Sequence, residues 1–473
     1  MKNKQTKIIA TISDTNCSTS FIKELYDNGM DVVRLNTAHQ TPETTLKIIK
    51  NVRNVSHKIS LLLDIKGPEM RTTKVNEPIN FKRGDSVSLR GGTKVSTKEC
   101  VYIAYNAFVR DVPKDSTILI DDGELEMVVK QRTKQDLICE IIHDGYLKSR
   151  KTVNVPGIRI NLPTLTSKDR TYIKFAVRHK LDFIALSFVR RKQDVITLRN
   201  ILKKHKSPIQ IISKIENHEG VENIDEIISA SDGIMIARGD LGVEKPPEEV
   251  PLIQKSIINK SILSAKCVIT ATQMMQSMID NPRPTRAEVS DVANAILDGT
   301  DAVMLSGETA YGKYPIHAVK VMARIAKSVE ADKAPFKYYL MKKKPEDVRM
   351  RLAKSAVSLV SDDPFNAIVM ISRKGSTARF VSSFRGNKRI FAACYNPTVM
   401  RQLTLCYGIY PTLIEQFEST DDLVTGTVKQ LVKTKRLAKD DFIVILGATP
   451  GAYGHATNFL EINTVKNCLK IRS

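Results

Sequence analysis

Several short apolar runs in this chain end on residue types that handle phosphate. Arg34-Leu-Asn36 closes one run, Asp64-Ile-Lys66-Gly-Pro-Glu69-Met-Arg71 another, and Lys214-Ile-Glu216-Asn217 a third; Ala237-Arg-Gly-Asp240 and Thr270-Ala-Thr272-Gln273 follow. Glu216 and Asp240 offer oxygen donors for a hard divalent cation, and Mg2+ takes one or two carboxylates while water and phosphate fill the remaining positions. Taken singly, either acid reads better as a surface ion pair; on neighbouring strand ends the metal reading is the better one. Arg34 and Arg71 carry planar, permanently charged forks that match phosphate oxygens, and Lys214 carries a mobile point charge. Such cations beside a carboxylate-held metal suit phosphoryl transfer, where catalysis is mostly positioning and neutralisation of equatorial oxygens. A salt bridge of Arg71 with Glu69 or Asp64 is the plain alternative. Gly239 removes a side chain just before Asp240, which leaves backbone amides open to an anion. The chain carries no G-x-x-x-x-G-K-[ST], G-x-G-x-x-G or G-x-S-x-G pattern, so P-loop, dinucleotide and nucleophile-elbow chemistries are disfavoured.

Residues from distant parts of the sequence meet only if the elements before them share one frame. Apolar, β-branched runs at 7–12, 31–35, 59–64, 182–188, 209–214, 233–237, 267–271 and 302–305 alternate with helical patterns. In the last helix Ile316, Val319, Met322, Ala326 and Val329 fall on one face. Strands each followed by a helix are the inventory of a (β/α)8 barrel, whose reactive groups come from the C-terminal strand ends. One unit is interrupted: between the third run and a helix starting near Asp169, segments 85–89, 117–120 and 125–129 and the turns Arg90-Gly-Gly92 and Asp121-Asp-Gly123 read as a small β-domain. An insertion there stands over the functional face, as a lid would. Past Lys342-Lys-Lys-Pro-Glu-Asp347, strands near 367–371, 389–393 and 442–446 open a second α/β pattern. The expected division is a barrel of residues 1–71 and 155–342, a lid at 72–154 and a C-terminal α/β domain at 343–473.

The 473 residues, 42% hydrophobic, can bury several cores. Lys and Arg number 73 against 51 Asp and Glu, a net charge of +22 that favours anionic partners. The excess is dispersed, aromatics make up 6% and Trp does not occur, so small anions are favoured over nucleic acid. The basic start is followed by an apolar stretch too short for an export signal, and no run approaches the ~20 apolar residues that span a bilayer. A cytoplasmic enzyme without nucleic-acid or membrane partners is expected. Seven scattered cysteines, never spaced C-x-x-C, read as reduced thiols and not as disulfides or zinc ligands.

Along about its whole length the chain resembles the pyruvate kinase family. The resemblance rests on Lys214-Ile-Glu-Asn217, Ala237-Arg-Gly-Asp-Leu-Gly242, Ala271-Thr-Gln-Met274, Asn281-Pro-Arg-Pro-Thr-Arg-Ala-Glu288, Ser290-Asp-Val-Ala-Asn294 and Met304-Leu-Ser-Gly-Glu-Thr309, in the family's order. It implies a barrel with an inserted lid and a C-terminal regulatory domain, usually in a homotetramer. The implied reaction moves a phosphoryl group from phosphoenolpyruvate to ADP, giving pyruvate and ATP. Glu216 and Asp240 then match the Mg2+ (or Mn2+) ligands, and Lys214 the residue that stabilises the transferring group. Arg34, Ser187, Gly239, Asp240 and Thr272 fall at substrate positions, Thr272 near where the enolate is protonated; Arg71 and Lys151 fall at nucleotide positions. Asn36, Asp64 and the Ile65 backbone match K+ ligands, but Ala38 replaces a serine hydroxyl ligand and Ile65 a threonine. Glu69 stands where K+-requiring members carry an acid. Ser372, Lys374, Gly375, Ser376 and Thr377 precede a helical pattern suited to a phosphate, where the family takes a sugar-phosphate or nucleotide effector, with residues 449–456 as a second loop. The competing readings are a non-catalytic relative and a different phosphoenolpyruvate or pyruvate barrel enzyme. Retention of Lys214, Glu216 and Asp240 speaks against the first, and the inserted lid against the second.

Overall fold

A computed structural model describes residues 4–331, 348–361, 364–415, 419–448 and 457–470. Eight parallel strands close into a barrel: Lys7–Thr11, Val32–Asn36, Ser60–Ile65, Phe183–Leu186, Gln210–Ile215, Gly233–Ala237, Cys267–Ala271 and Ala302–Leu305. Each pairs with its sequence neighbours, and the eighth returns to the first through Lys7 opposite Ala302. These strands read as unbroken apolar runs because both faces are covered, one by the barrel interior and one by helices. Every residue of the first, third, fourth, sixth, seventh and eighth strands is buried. The fourth strand is shorter than the run 182–188. Phe188 turns into the left-handed region at φ 52°, and its amide leaves the sheet to donate to Glu216 Oε2 at 2.6 Å.

The helix Ser167–Arg178 begins where the sequence placed it, fixed by a reciprocal cap between Thr166 and Asp169. The last barrel helix, Pro315–Ala331, buries Val319, Met322 and Ala326 as expected. Its inward face also takes Ala318, Val321, Ala323 and Ile325, while Ile316 and Val329 lie at its edge.

Between the third strand and the helix Ser167–Arg178 stands the β-rich insertion. It holds a six-stranded sheet, a two-stranded ribbon of Ile79–Phe81 with Gly145–Leu147, and the short helix Phe108–Asp111. Its core is its own, centred on Phe81, Phe108, Leu125 and Met127. The C-terminal domain is a five-stranded sheet ordered Ile409–Leu413, Arg389–Cys394, Ala367–Ser372, Phe442–Gly447, Phe459–Thr464. Sequence patterning found the three central strands and missed the outer pair. Pro411 interrupts one of these, and edge strands tolerate Pro because one side of the ladder needs no donor; the other is half-buried along most of its length.

The C-terminal domain seals the barrel end opposite the lid. One apolar cluster joins barrel residues Ile9, Leu62, Phe183, Met235 and Ile269 to Met350, Val357, Phe384, Leu403 and Cys406. Two ion pairs cross the same seam, Arg385 to Asp301 at 2.7 Å and Arg401 to Asp182 at 2.6 Å.

Candidate functional site

Closure of the barrel brings the strand ends together on the rim below the lid. Lys214, near the end of the fifth strand, lies 2.8 Å from Glu216 Oε1 and 3.3 Å from Asp64 Oδ1. It also donates to Ser187 Oγ at 2.8 Å. Arg34, from the second strand, holds the other Asp64 oxygen through Nε at 2.8 Å and Nη2 at 2.7 Å. Asp240 comes within hydrogen-bonding reach of Glu216. Thus Arg34, Asp64, Lys214 and Glu216 alternate in sign, and Asp240 adds a second acid beside Glu216, from four strands in all.

Dehydration of this cluster sharpens its charges. Burial pushes the Glu216 carboxyl up to about 7; Lys214 opposes that shift and Asp240 adds to it. Burial also raises Asp240, against the pull of Lys214. For Asp64 burial acts in the same sense, yet Lys214 and Arg34 outweigh it and hold the carboxyl below its ordinary value. Burial alone would depress Lys214, but Asp64, Glu216 and Asp240 hold the ammonium above its ordinary range. The lysine is therefore a fixed positive charge at any physiological pH.

Thr272 occupies an unusual turn. It and Gln273 both adopt positive φ, 65° and 53°, and a β-branched residue in that region is a true outlier. The turn is held from two sides: the Gly239 amide donates to Thr272 Oγ1 at 2.8 Å, and Arg238 Nη2 donates to the Thr272 carbonyl at 2.7 Å. Arg238 is buried and grips Asp291 through Nη1 and Nη2 at 2.7 and 2.8 Å. A Cβ at Gly239 would lie 3.6 Å from Thr272 Oγ1, an ordinary contact. The fold would accept a side chain there, so what the glycine leaves open is the space facing Thr272. Arg238 and Asp291 were not singled out from the sequence, although both lie inside motifs quoted above. An arginine next to Asp240 at a strand end was the available signal.

The remaining expected residues divide by location. Ser187 sits between the groups at the rim, accepting from Lys214 and donating to the Ile65 carbonyl at 2.7 Å. Asn36 Oδ1 accepts the Ala38 amide at 3.1 Å, and the Asp64 carbonyl accepts from Thr37. These oxygens and the Ile65 carbonyl lie along two adjacent strands; the Asp64 carbonyl also accepts the Thr37 amide at 3.0 Å. Arg71 and Lys151 stand at the base of the lid, joined by the isolated bridge Arg71 to Thr152. Arg71 pairs with Glu69 at 2.6 Å, the plain alternative foreseen for it, and Lys151 pairs with Asp121 at 2.7 Å. Between lid and rim opens a cavity of about 400 Å³ lined in part by Met70, Asn154, Phe188, His218, Asp240 and Glu244. Among the described residues no group of three or more His, Cys, Asp or Glu is placed to hold a metal; two carboxylates are the number a phosphate-bound Mg2+ commonly takes.

In the C-terminal domain Ser372 Oγ accepts the Gly375 amide at 2.9 Å, and Gly375 turns at φ 81° into the helix Ser376–Ser383. Thr377 is buried against Thr457, while Lys374 is exposed. The second expected loop, 449–456, lies outside the described residues.

Comparison with known proteins agrees with this geometry. Residues 3–319 match the family described as pyruvate kinase, barrel domain, and residues 351–463 match pyruvate kinase, alpha/beta domain. The chain belongs to the pyruvate kinase family. A pyruvate kinase of Borreliella burgdorferi is 46% identical over 100% of both chains. One of Staphylococcus aureus is 42% identical over 98% of this chain and 80% of its own. The crystal structure of a pyruvate kinase from Cryptosporidium parvum superposes with a TM-score of 0.93 at 36% identity, covering 98% of this chain and 96% of that one. Membership in the pyruvate kinase family accounts for the barrel, the inserted lid and the C-terminal sheet together.

Proposed function

We propose that this protein transfers the phosphoryl group of phosphoenolpyruvate to ADP, giving pyruvate and ATP. The observation that carries the reading is the Lys214 ammonium, fixed between Asp64 and Glu216 with Asp240 beside them. In phosphoryl transfer such a charge stabilises the group in flight, since the chemistry asks mainly for position and neutralisation. Arg34 would steady the substrate phosphate from the opposite side of Asp64. Thr272, held in its turn, would stand where the enolate left after transfer takes up a proton. Arg71 and Lys151, at the root of the lid, would meet the nucleotide as the lid at 72–154 closes, exchanging Glu69 and Asp121 for phosphate oxygens.

The residues fit a divalent cation. Buried Glu216 and half-buried Asp240, both pushed up by burial and Glu216 further by Asp240, carry more negative charge than Lys214 alone compensates. Glu216 and Asp240 would hold Mg2+ or Mn2+, which when bound supplies charge neutralisation for the phosphate oxygens. Asn36, Asp64 and the Ile65 carbonyl provide oxygens for K+, with water replacing the hydroxyl that Ala38 lacks. Among the described residues no helix is long and apolar enough to cross a membrane; a cytoplasmic, glycolytic role belongs to the same proposal. A homotetramer, and an effector phosphate at Ser372 to Thr377, complete the reading.

A coupled assay of pyruvate formation from phosphoenolpyruvate and ADP, with Mg2+ and K+ varied separately, tests it. Activity that needs both cations is expected. Full turnover in a Lys214→Ala variant would overturn the mechanism, and an undiminished rate with K+ exchanged for an inert organic cation would remove K+ from it.

A further inference from the structure

At the seam between barrel and C-terminal domain two thiols meet that the catalytic reading does not use. Cys267 opens the seventh barrel strand, on the floor opposite the lid, and Cys406 lies between the helix Pro397–Leu403 and the strand Ile409–Leu413. Their Sγ atoms are 2.9 Å apart across 139 positions of sequence. Both belong to the apolar cluster that joins the two domains. A disulfide bond is about 2.05 Å long, so bonding asks for a movement of roughly 1 Å.

The backbones on both sides are fixed. Cys267 is in register with Gly233 in the barrel sheet. The Cys406 amide donates to Leu403, and the next amide, Tyr407, donates to Asp301 Oδ1 at 2.8 Å. Asp301 in turn pairs with Arg385 at 2.7 Å with both side chains 2% exposed. The two sulfurs are therefore held facing each other by the same contacts that dock the domains.

Their surroundings also favour reaction. The contact is an S–H···S hydrogen bond that holds Cys406 below its ordinary value and Cys267 well above. Arg379 acts on both sulfurs to favour thiolate, and its Nη2 is buried with no hydrogen-bond partner among the described residues. Cys267 retains 7% exposure and Cys406 none. The other buried cysteines have no such partner among the described thiols; Cys394, in the same cluster, donates to the Ala392 carbonyl.

We propose that Cys267 and Cys406 are a modification site, an intramolecular disulfide formed with hydrogen peroxide that tethers the C-terminal domain to the barrel floor. Cys406 gives up its proton to solvent while Cys267 keeps its own, and the Cys406 sulfur attacks one peroxide oxygen. The O–O bond breaks, Cys406 sulfenic acid forms, and the departing hydroxide takes up the released proton and leaves as water. The Cys267 sulfur then attacks the Cys406 sulfur, the S–O bond breaks, and the hydroxyl departs as a second water with the Cys267 proton. One peroxide accepts the two electrons that the two thiols give up.

The test uses the full-length protein, treated with hydrogen peroxide, quenched, denatured and alkylated. The thiols open to alkylation should fall from the seven of the reduced chain by two, with loss of two hydrogens from the intact mass and a Cys267–Cys406 cross-linked peptide that dithiothreitol releases. The thermal midpoint should be higher before dithiothreitol than after, as expected when a long loop is closed. Cys394→Ala should keep the cross-link and Cys406→Ala should lose it. The wild-type thiol count does not depend on either variant folding. Peroxide that oxidises the part-exposed Cys100 while Cys267 and Cys406 both remain alkylatable would overturn the proposal, as would a cross-link joining another pair.

Discussion

Replacing Arg238 with Met should slow turnover without unfolding the protein. The methionine keeps the buried stem and deletes the guanidinium, which donates to the Thr272 carbonyl at 2.7 and 3.3 Å. A hydrogen bond from a charged group contributes about 1.5–3 kcal/mol. It works against the strain of the left-handed Thr272, φ 65°, a conformation that costs about 1–3 kcal/mol. The two are of similar size, so without the arginine the turn relaxes and Thr272 leaves its place beside Gly239. A shortfall of about 1.4–2.7 kcal/mol in the transition state is a 10- to 100-fold loss of kcat. The KM for phosphoenolpyruvate should change far less, because Arg34 and Lys214 remain. Asp291→Asn should be milder, since Asp291 is 35% exposed and its ion pair is partly screened. Steady-state kinetics beside thermal melting decide the matter. A folded Arg238→Met protein with kcat within twofold of the parent would refute the idea that the clamp positions Thr272.

Three further outcomes follow from the same structure. Lys214→Met should reduce kcat by about 10²–10³, the usual loss when a preorganised group facing developing charge is removed, read in the coupled assay with circular dichroism to confirm folding. Arg401→Met should cost about 3–5 kcal/mol in urea unfolding, because it leaves the buried Asp182 carboxylate with only Arg53, at 3.4 Å, as a cation among the described residues. Burial pushes Lys7 down to about 8 from 10.5, against the pull of Asp31. The folded state then binds fewer protons than the unfolded one between those values, so this lysine's cost to stability is full below pH 8 and is relieved as pH rises toward 10.5. The stability difference between Lys7→Met and the parent should accordingly shrink between pH 7.5 and pH 10 by an amount on the order of 2 kcal/mol; a constant difference would refute it.

Much of the molecule could be read from the chain because its information is local. A barrel strand is apolar throughout when both its faces are covered, and the runs at 233–237, 267–271 and 302–305 coincide with the strands residue for residue. The β-rich insertion is equally local, resting on turns and short alternations. What escaped were features fixed by neighbours: the early end of the fourth strand, where the Phe188 amide is drawn to Glu216, and the outer strands of the C-terminal sheet, one interrupted by Pro411 and the other half-buried along most of its length.

The sequence by itself determined which chemistry was available: Arg34, Asp64, Lys214, Glu216, Asp240 and Thr272 stand at strand ends, and strand ends are where such a barrel reacts. Only the tertiary structure decided how those groups act on one another. Charge and burial are properties of surroundings, so that Lys214 is locked between two acids, that Glu216 is pushed up to about 7, and that Arg238 braces Thr272 follow from contacts between strands far apart in the chain. The meeting of Cys267 with Cys406 belongs to the same class, since 139 positions of sequence separate two sulfurs that the docked domains bring to 2.9 Å.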